Sequence, residues 1–132
     1  MNANNKLLPF LFLILFASCD PAHDILFINK MNTSVKVKIN LDPKTDNYNL
    51  KRIAVGDSIV FDLKKDSVGY ISFGIGNWSK KEIQEAVNSI KVIEIETKDI
   101  KTIYKSKKAI NTILDENVKG TLFKSLIEIN IK

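Results

Sequence analysis

The chain has one thiol and one imidazole, Cys19 and His23, four positions apart in 132 residues. Thiol and imidazole together can serve nucleophilic catalysis or ligate zinc. With no second cysteine or histidine, neither an intrachain disulfide nor a soft ligand set for zinc can form. A general base also needs a scaffold. Residues 19–24 carry Pro21 and few apolar groups and read as a tether, so His23 is not held there with the accuracy proton transfer demands. Glu94 and Glu96 share the outer face of one predicted strand and could pair as carboxylates, but outward charges on a strand are ordinarily just solvated. No enzymatic activity is expected.

Four further groups bear on binding. Gly74-Ile75-Gly76-Asn77-Trp78-Ser79 follows a predicted strand and opens a predicted helix, with Glu96 at the end of the next strand, in the order of a dinucleotide loop. Ser79 stands where a third glycine is needed and Trp78 fills the turn, so a tight strand-to-helix turn is the better reading and no cofactor is expected. Residues 98–108 hold Lys98, Lys101, Lys105, Lys107 and Lys108 against Asp99, enough charge to attract anionic headgroups or acidic glycan. Without arginine, and with Tyr104 as the one aromatic, they suit phosphate forks and base stacking poorly, which leaves a solvated helix face and no nucleic acid. Asp42, Asp46 and Asn47 lie in a polar loop without EF-hand spacing, so no metal is expected. Tyr70, Phe73 and Trp78 could form a sugar-stacking face, but Phe73 falls in an inward set and Trp78 beside a helix cap.

The elements that must carry these residues are mainly strands. Val35, Val37, Ile39 and Leu41 alternate with Ser34, Lys36, Lys38 and Asn40, a period of two that sends one set to a core and the other to water. The same pattern recurs at Ile59, Phe61 and Leu63, at Ile71, Phe73 and Ile75, at Ile93 and Ile95, and at Ile127, Ile129 and Ile131. Residues 25–28 and 50–55 are weaker strands, and the body is expected to begin at Ile25. Turn chemistry separates these strands at residues 29–32, 42–43 and 56–57. Short strands with polar turns predict an antiparallel sandwich.

Ser79-Lys80-Lys81-Glu82 has the capping-box form, followed by an apolar stripe at Ile83, Ala86, Val87 and Ile90. Trp78 and Ile83 then stand in hydrophobic-staple positions. Further helical starts are expected at Thr97, with Ile100, Ile103 and Tyr104 on one face, and at Ser106, with Ile110, Ile113 and Leu114. The fold class is therefore mainly β (α+β), a sandwich with one or two helical insertions in the second half. Apolar content of 45%, charged content of 27% and a net charge of +5 are ordinary for one globular domain and disfavour disorder or a disulfide scaffold.

The first residues are different in kind. Met1 to Lys6 is polar with one positive charge, and residues 7–16 are apolar throughout. A bilayer span needs about 20 apolar residues, so ten read as the core of a signal peptide. The run ends in Leu15-Phe16-Ala17-Ser18-Cys19, which resembles the bacterial lipoprotein signal. Phe16 departs from its pattern, which has an aliphatic residue three positions before the cysteine. The resemblance implies a diacylglycerol on the Cys19 sulfur, cleavage before Cys19, and a third acyl chain on the new amine. Residues 1–18 are then a signal peptide, 19–24 a lipidated tether and 25–132 one β-rich domain. Two or more acyl chains, at about 0.8 kcal/mol per buried CH₂, hold a domain on a bilayer almost permanently.

The body, through Ile71-Ser72-Phe73, Trp78-Ser79, Glu82-Ile83 and the closing Ile127-Glu128-Ile129, is similar to small lipoproteins of Bacteroidota, many with immunoglobulin-like or transthyretin-like sandwiches. This resemblance brings no catalytic motif. It implies a bacterial envelope protein at the outer membrane or cell surface in preference to the inner membrane, anchored through Cys19. Its expected role is a non-catalytic binding or accessory module for a protein or glycan partner; the alternative is a small inhibitor or immunity lipoprotein against an envelope-attacking enzyme or toxin.

Overall fold

The computed structural model describes residues 21–120 and 122–132. Among them the elements run β1 (Ala22–Asn29), β2 (Val35–Leu41), α1 (Tyr48–Lys51), β3 (Ser58–Leu63), β4 (Val68–Ile75), α2 (Lys80–Ser89), β5 (Ile90–Glu96), β6 (Lys101–Tyr104), α3 (Lys107–Asp115), β7 (Val118–Lys119) and β8 (Leu126–Ile131). The strands form two four-stranded sheets, ordered β4-β1-β8-β7 and β3-β2-β5-β6. A mainly β architecture is thus present, compatible with the expected sandwich with helical insertions.

Period-two alternation explains both sheets. Val35, Val37, Ile39 and Leu41 of β2 are buried and face a common core with Ile25 and Phe27 of β1 and Ile127, Ile129 and Ile131 of β8. Each such side chain, fully removed from water, contributes about 1.5–3 kcal/mol. The outward residues of the second sheet form a row of alternating sign. Asp62 pairs with Lys36, Lys36 with Glu96, and Glu96 with Lys101. Opposite charges side by side support this register, and a one-residue slip would send the lysines into the core.

The helices close one flank. α2 packs against α3, and α3 against β5 and β8. Ser79 and Ser106 cap them, each hydroxyl accepting from the backbone N–H three residues on. The Lys107 ammonium donates to the Val87 and Ile90 carbonyls at 3.0 and 2.6 Å, a basic group at the C-terminal end of α2 that ties the start of α3 to it. On the other flank β3 and β4 approach closely. A Cβ on Gly69 would lie 2.6 Å from the Phe61 ring, so the phenyl ring occupies the space that any larger residue at 69 would need.

Within these largely antiparallel sheets one pair, β1 with β8, runs parallel. Three expectations are corrected. β1 begins at Ala22 and not at Ile25, so residues 22–24 belong to a strand and not to a tether. Residues 48–51 are a helical turn capped by Asn47, and Leu50 is buried from it, where a weak strand was expected at 50–55. Residues 101–104 are a strand pairing with β5, where a helix was expected from Thr97. The i, i+3 spacing of Ile100 and Ile103 suggested a helix, but both are exposed and Tyr104 is only half-buried. The pairing with β5 decides the conformation there, and the helical start at Ser106 stands.

Candidate functional site

The one buried titratable cluster among the described residues sits where the chain enters the first sheet. The alternation of β1 turns His23, Ile25, Phe27 and Asn29 inward, and His23 retains only 2% of its exposure. Its Nδ1 lies 3.0 Å from the Gly76 carbonyl oxygen and its Nε2 2.7 Å from Glu82 Oε2. The imidazole stacks on Trp78 at a centroid distance of 4.2 Å, and Phe73 meets Trp78 edge-on at 4.8 Å. The Trp78 indole N–H points at the Asp24 carbonyl at 3.4 Å. The reading of His23 as a tether residue without a scaffold is overturned, because β1, the 76–78 turn and the first turn of α2 enclose it.

The local sequence explains the enclosure. Gly74 and Gly76 have φ of +98° and +124°, backbone states that a side chain strongly disfavours, so the turn between β4 and α2 is available only to glycine. This is the tight turn anticipated for the glycine pair. β4 and β5 lie in different sheets, so no dinucleotide crevice forms between Gly74 and Glu96. At the α2 cap, Glu82 departs from the capping-box expectation. Its Oε1 accepts from the Ser79 hydroxyl at 3.3 Å and its Oε2 faces His23, so the carboxylate ties the cap to β1.

The order of groups limits what this cluster can do. A serine nucleophile needs the imidazole beside its hydroxyl, with the carboxylate behind the imidazole. Here the carboxylate stands between Ser79 and His23, and both ring nitrogens are already engaged. With both nitrogens protonated, the ring donates to both oxygens; with one proton, it donates to one of them. The arrangement fastens β1 to the start of α2 and leaves the ring no free atom for substrate.

The other candidates are dispersed. Glu94 and Glu96 lie in the charged row, with Glu94 3.5 Å from the Lys101 ammonium. Lys98, Lys101, Lys105, Lys107 and Lys108 do not share a helix face, since they fall on a bend, β6, a connection and α3, and Lys107 is spent on the end of α2. Asp42 accepts from the Lys44 N–H and Asn47 caps α1. Asp42, Asp46, Glu85 and Asn88 rim a shallow depression. No group of three or more metal-ligating side chains occurs among the described residues. Tyr70 is exposed whereas Trp78 is buried, so the aromatic trio does not form one sugar-stacking face. Cys19 lies outside the described residues.

The clasp of β1 at its other end was also missed. Asn29 is fully buried, donates to the Thr33 and Leu63 carbonyls at 2.9 and 3.0 Å, and accepts from the Met31 N–H at 2.9 Å. No family model matches this chain, and no curated protein or solved structure matches it either.

Proposed function

We propose that this protein is a bacterial envelope lipoprotein, acylated at Cys19, whose β-rich domain serves as a non-catalytic binding or accessory module. One observation carries the reading: a charged start, a ten-residue apolar run and a small pair stand in order before the sole cysteine. β1 beginning at Ala22 supports it, because the folded domain then starts immediately after the modified residue. No helix among the described residues is long and apolar enough to cross a membrane, so a membrane attachment of this domain through acyl chains is chemical and not helical. The engagement of both His23 nitrogens supports the non-catalytic part. A protein or glycan in the envelope is the partner. The decisive experiment is metabolic labelling with an alkynyl palmitate analogue. Cys19→Ser abolishes the label and leaves an uncleaved or soluble species; undiminished labelling refutes acylation at this thiol.

A further inference from the structure

The end of the first sheet at which the chain enters is apolar on its surface. Ile75, the last residue of β4, is paired with Ala22 and 68% exposed. Leu122 and Phe123, which lead into β8 on the other side of β1, are 87% and 54% exposed. These two groups are neighbours. The Gly76 N–H donates to the Pro21 carbonyl at 3.1 Å, and the Trp78 N–H donates to the Lys124 carbonyl at 2.7 Å. The 76–78 turn therefore crosses the start of β1 and joins Ile75 to Phe123. Lys124 is exposed beside it, Lys81 is exposed in the first turn of α2 three residues after Trp78, and neither takes part in an ion pair among the described residues. Of the carboxylates near this end, Glu82 and Asp115 are occupied by His23 and Lys80, and Asp24 of β1 is half-buried.

Chain length says what covers this end. Cys19 precedes Pro21 by two residues, and an extended chain spans at most about 3.3–3.6 Å per residue, so Pro21 lies within about 8 Å of the Cys19 backbone. Acyl chains on Cys19 would bring the headgroups to the same end of the domain. Apolar side chains flanked by lysines suit that boundary, the hydrocarbon entering the acyl edge and the ammonium groups meeting anionic phosphate. We propose that Ile75, Leu122 and Phe123, with Lys81 and Lys124 around them, dock onto the phospholipid surface that holds the Cys19 acyl chains. This rests on the acylation proposed above. The anchor then fixes orientation as well as location: residues 30–34 and 64–67, at the far end of β1, point away from the membrane.

The test is hydrogen–deuterium exchange on the full chain attached to phosphatidylglycerol/phosphatidylcholine vesicles. Attachment is through the cell's own acyl groups or, where mass spectrometry finds none, by coupling the sole thiol to a maleimide-bearing phosphatidylethanolamine. Exchange slows at residues 75–77 and 123–125 and is unchanged at 30–34 and 64–67. Leu122→Ser with Phe123→Ser, both at exposed positions, lowers the docked-to-undocked ratio by about ten-fold or more and removes the slowing. Equal exchange at both ends of attached protein overturns the proposal. Slowing that instead appears without vesicles as concentration rises also overturns it, in favour of a second copy on the patch. A missing acyl mass sinks the anchoring alone, because the maleimide arm still reads the docking.

Discussion

Replacing His23 separates what its ring packs against from what its nitrogens bind. His23→Phe keeps a ring of similar shape beside Trp78 but removes both ring nitrogens, one 3.0 Å from the Gly76 carbonyl oxygen and one 2.7 Å from Glu82. An acceptor left unpaired costs about 1–3 kcal/mol when buried, and the half-buried Gly76 carbonyl belongs at the lower end of that range. The Glu82 contribution is smaller, because 43% of that side chain is exposed and water can take over the freed carboxylate. His23→Phe is therefore expected to cost about 1–3 kcal/mol in all. His23→Ala removes the ring as well and opens a cavity under Trp78, which brings the expected cost to about 3–5 kcal/mol. Urea unfolding followed by far-UV circular dichroism measures both, with Glu82→Gln closing a double-mutant cycle on the pair. The difference between the two variants reports packing and the His23→Phe cost reports hydrogen bonding. A cost below about 1 kcal/mol for His23→Ala would return the residue to a solvated tether and refute the placement of β1.

Two further substitutions test the surroundings. Ser79→Ala removes the hydroxyl that accepts from the Glu82 N–H at 3.1 Å and is expected to cost about 1 kcal/mol in thermal or urea unfolding; no loss would mean that no helix starts there. Gly69→Ala places a methyl group 2.6 Å from the Phe61 ring and is expected to cost about 1–3 kcal/mol. Adding Phe61→Leu should recover part of that cost, and a neutral Gly69→Ala would show that β3 and β4 do not approach so closely.

The strands with clean alternation were legible because burial of one face is what makes a strand alternate. β2, β3, β5 and β8 appear where inward apolar residues repeat every second position, and the helices at Ser79 and Ser106 appear where a cap precedes an apolar stripe. β4 appears where Ile71, Phe73 and Ile75 alternate, but of these only Ile71 is buried, Phe73 is half-buried and Ile75 is exposed. Residues 101–104 failed for a related reason. β6 is an edge strand, and its residues carry little buried surface, so hydrophobic spacing says little about them and pairing with β5 decides their conformation. α1 is a single turn, too short for a period to register.

The candidate cluster was illegible for a deeper reason, which lies in β1 itself. Its inward set is His23, Ile25, Phe27, Asn29, an alternation whose first and last members are polar. A search for apolar residues at every second position finds only the middle pair and trims the strand at both ends, which turned residues 22–24 into a tether and residue 29 into a turn. Burying either polar group alone would cost several kcal/mol. What admits them is a partner supplied from far along the chain: Glu82 and Gly76 for His23, and Leu63 for Asn29. Those pairings span 34 to 59 residues, so no local window contains them. They are nonetheless the contacts that fix where β1 begins and ends. Because the first of these clasps, at His23, stands four positions after Cys19, the geometry next to the proposed anchor depends on the part of the fold that local pattern is least able to announce.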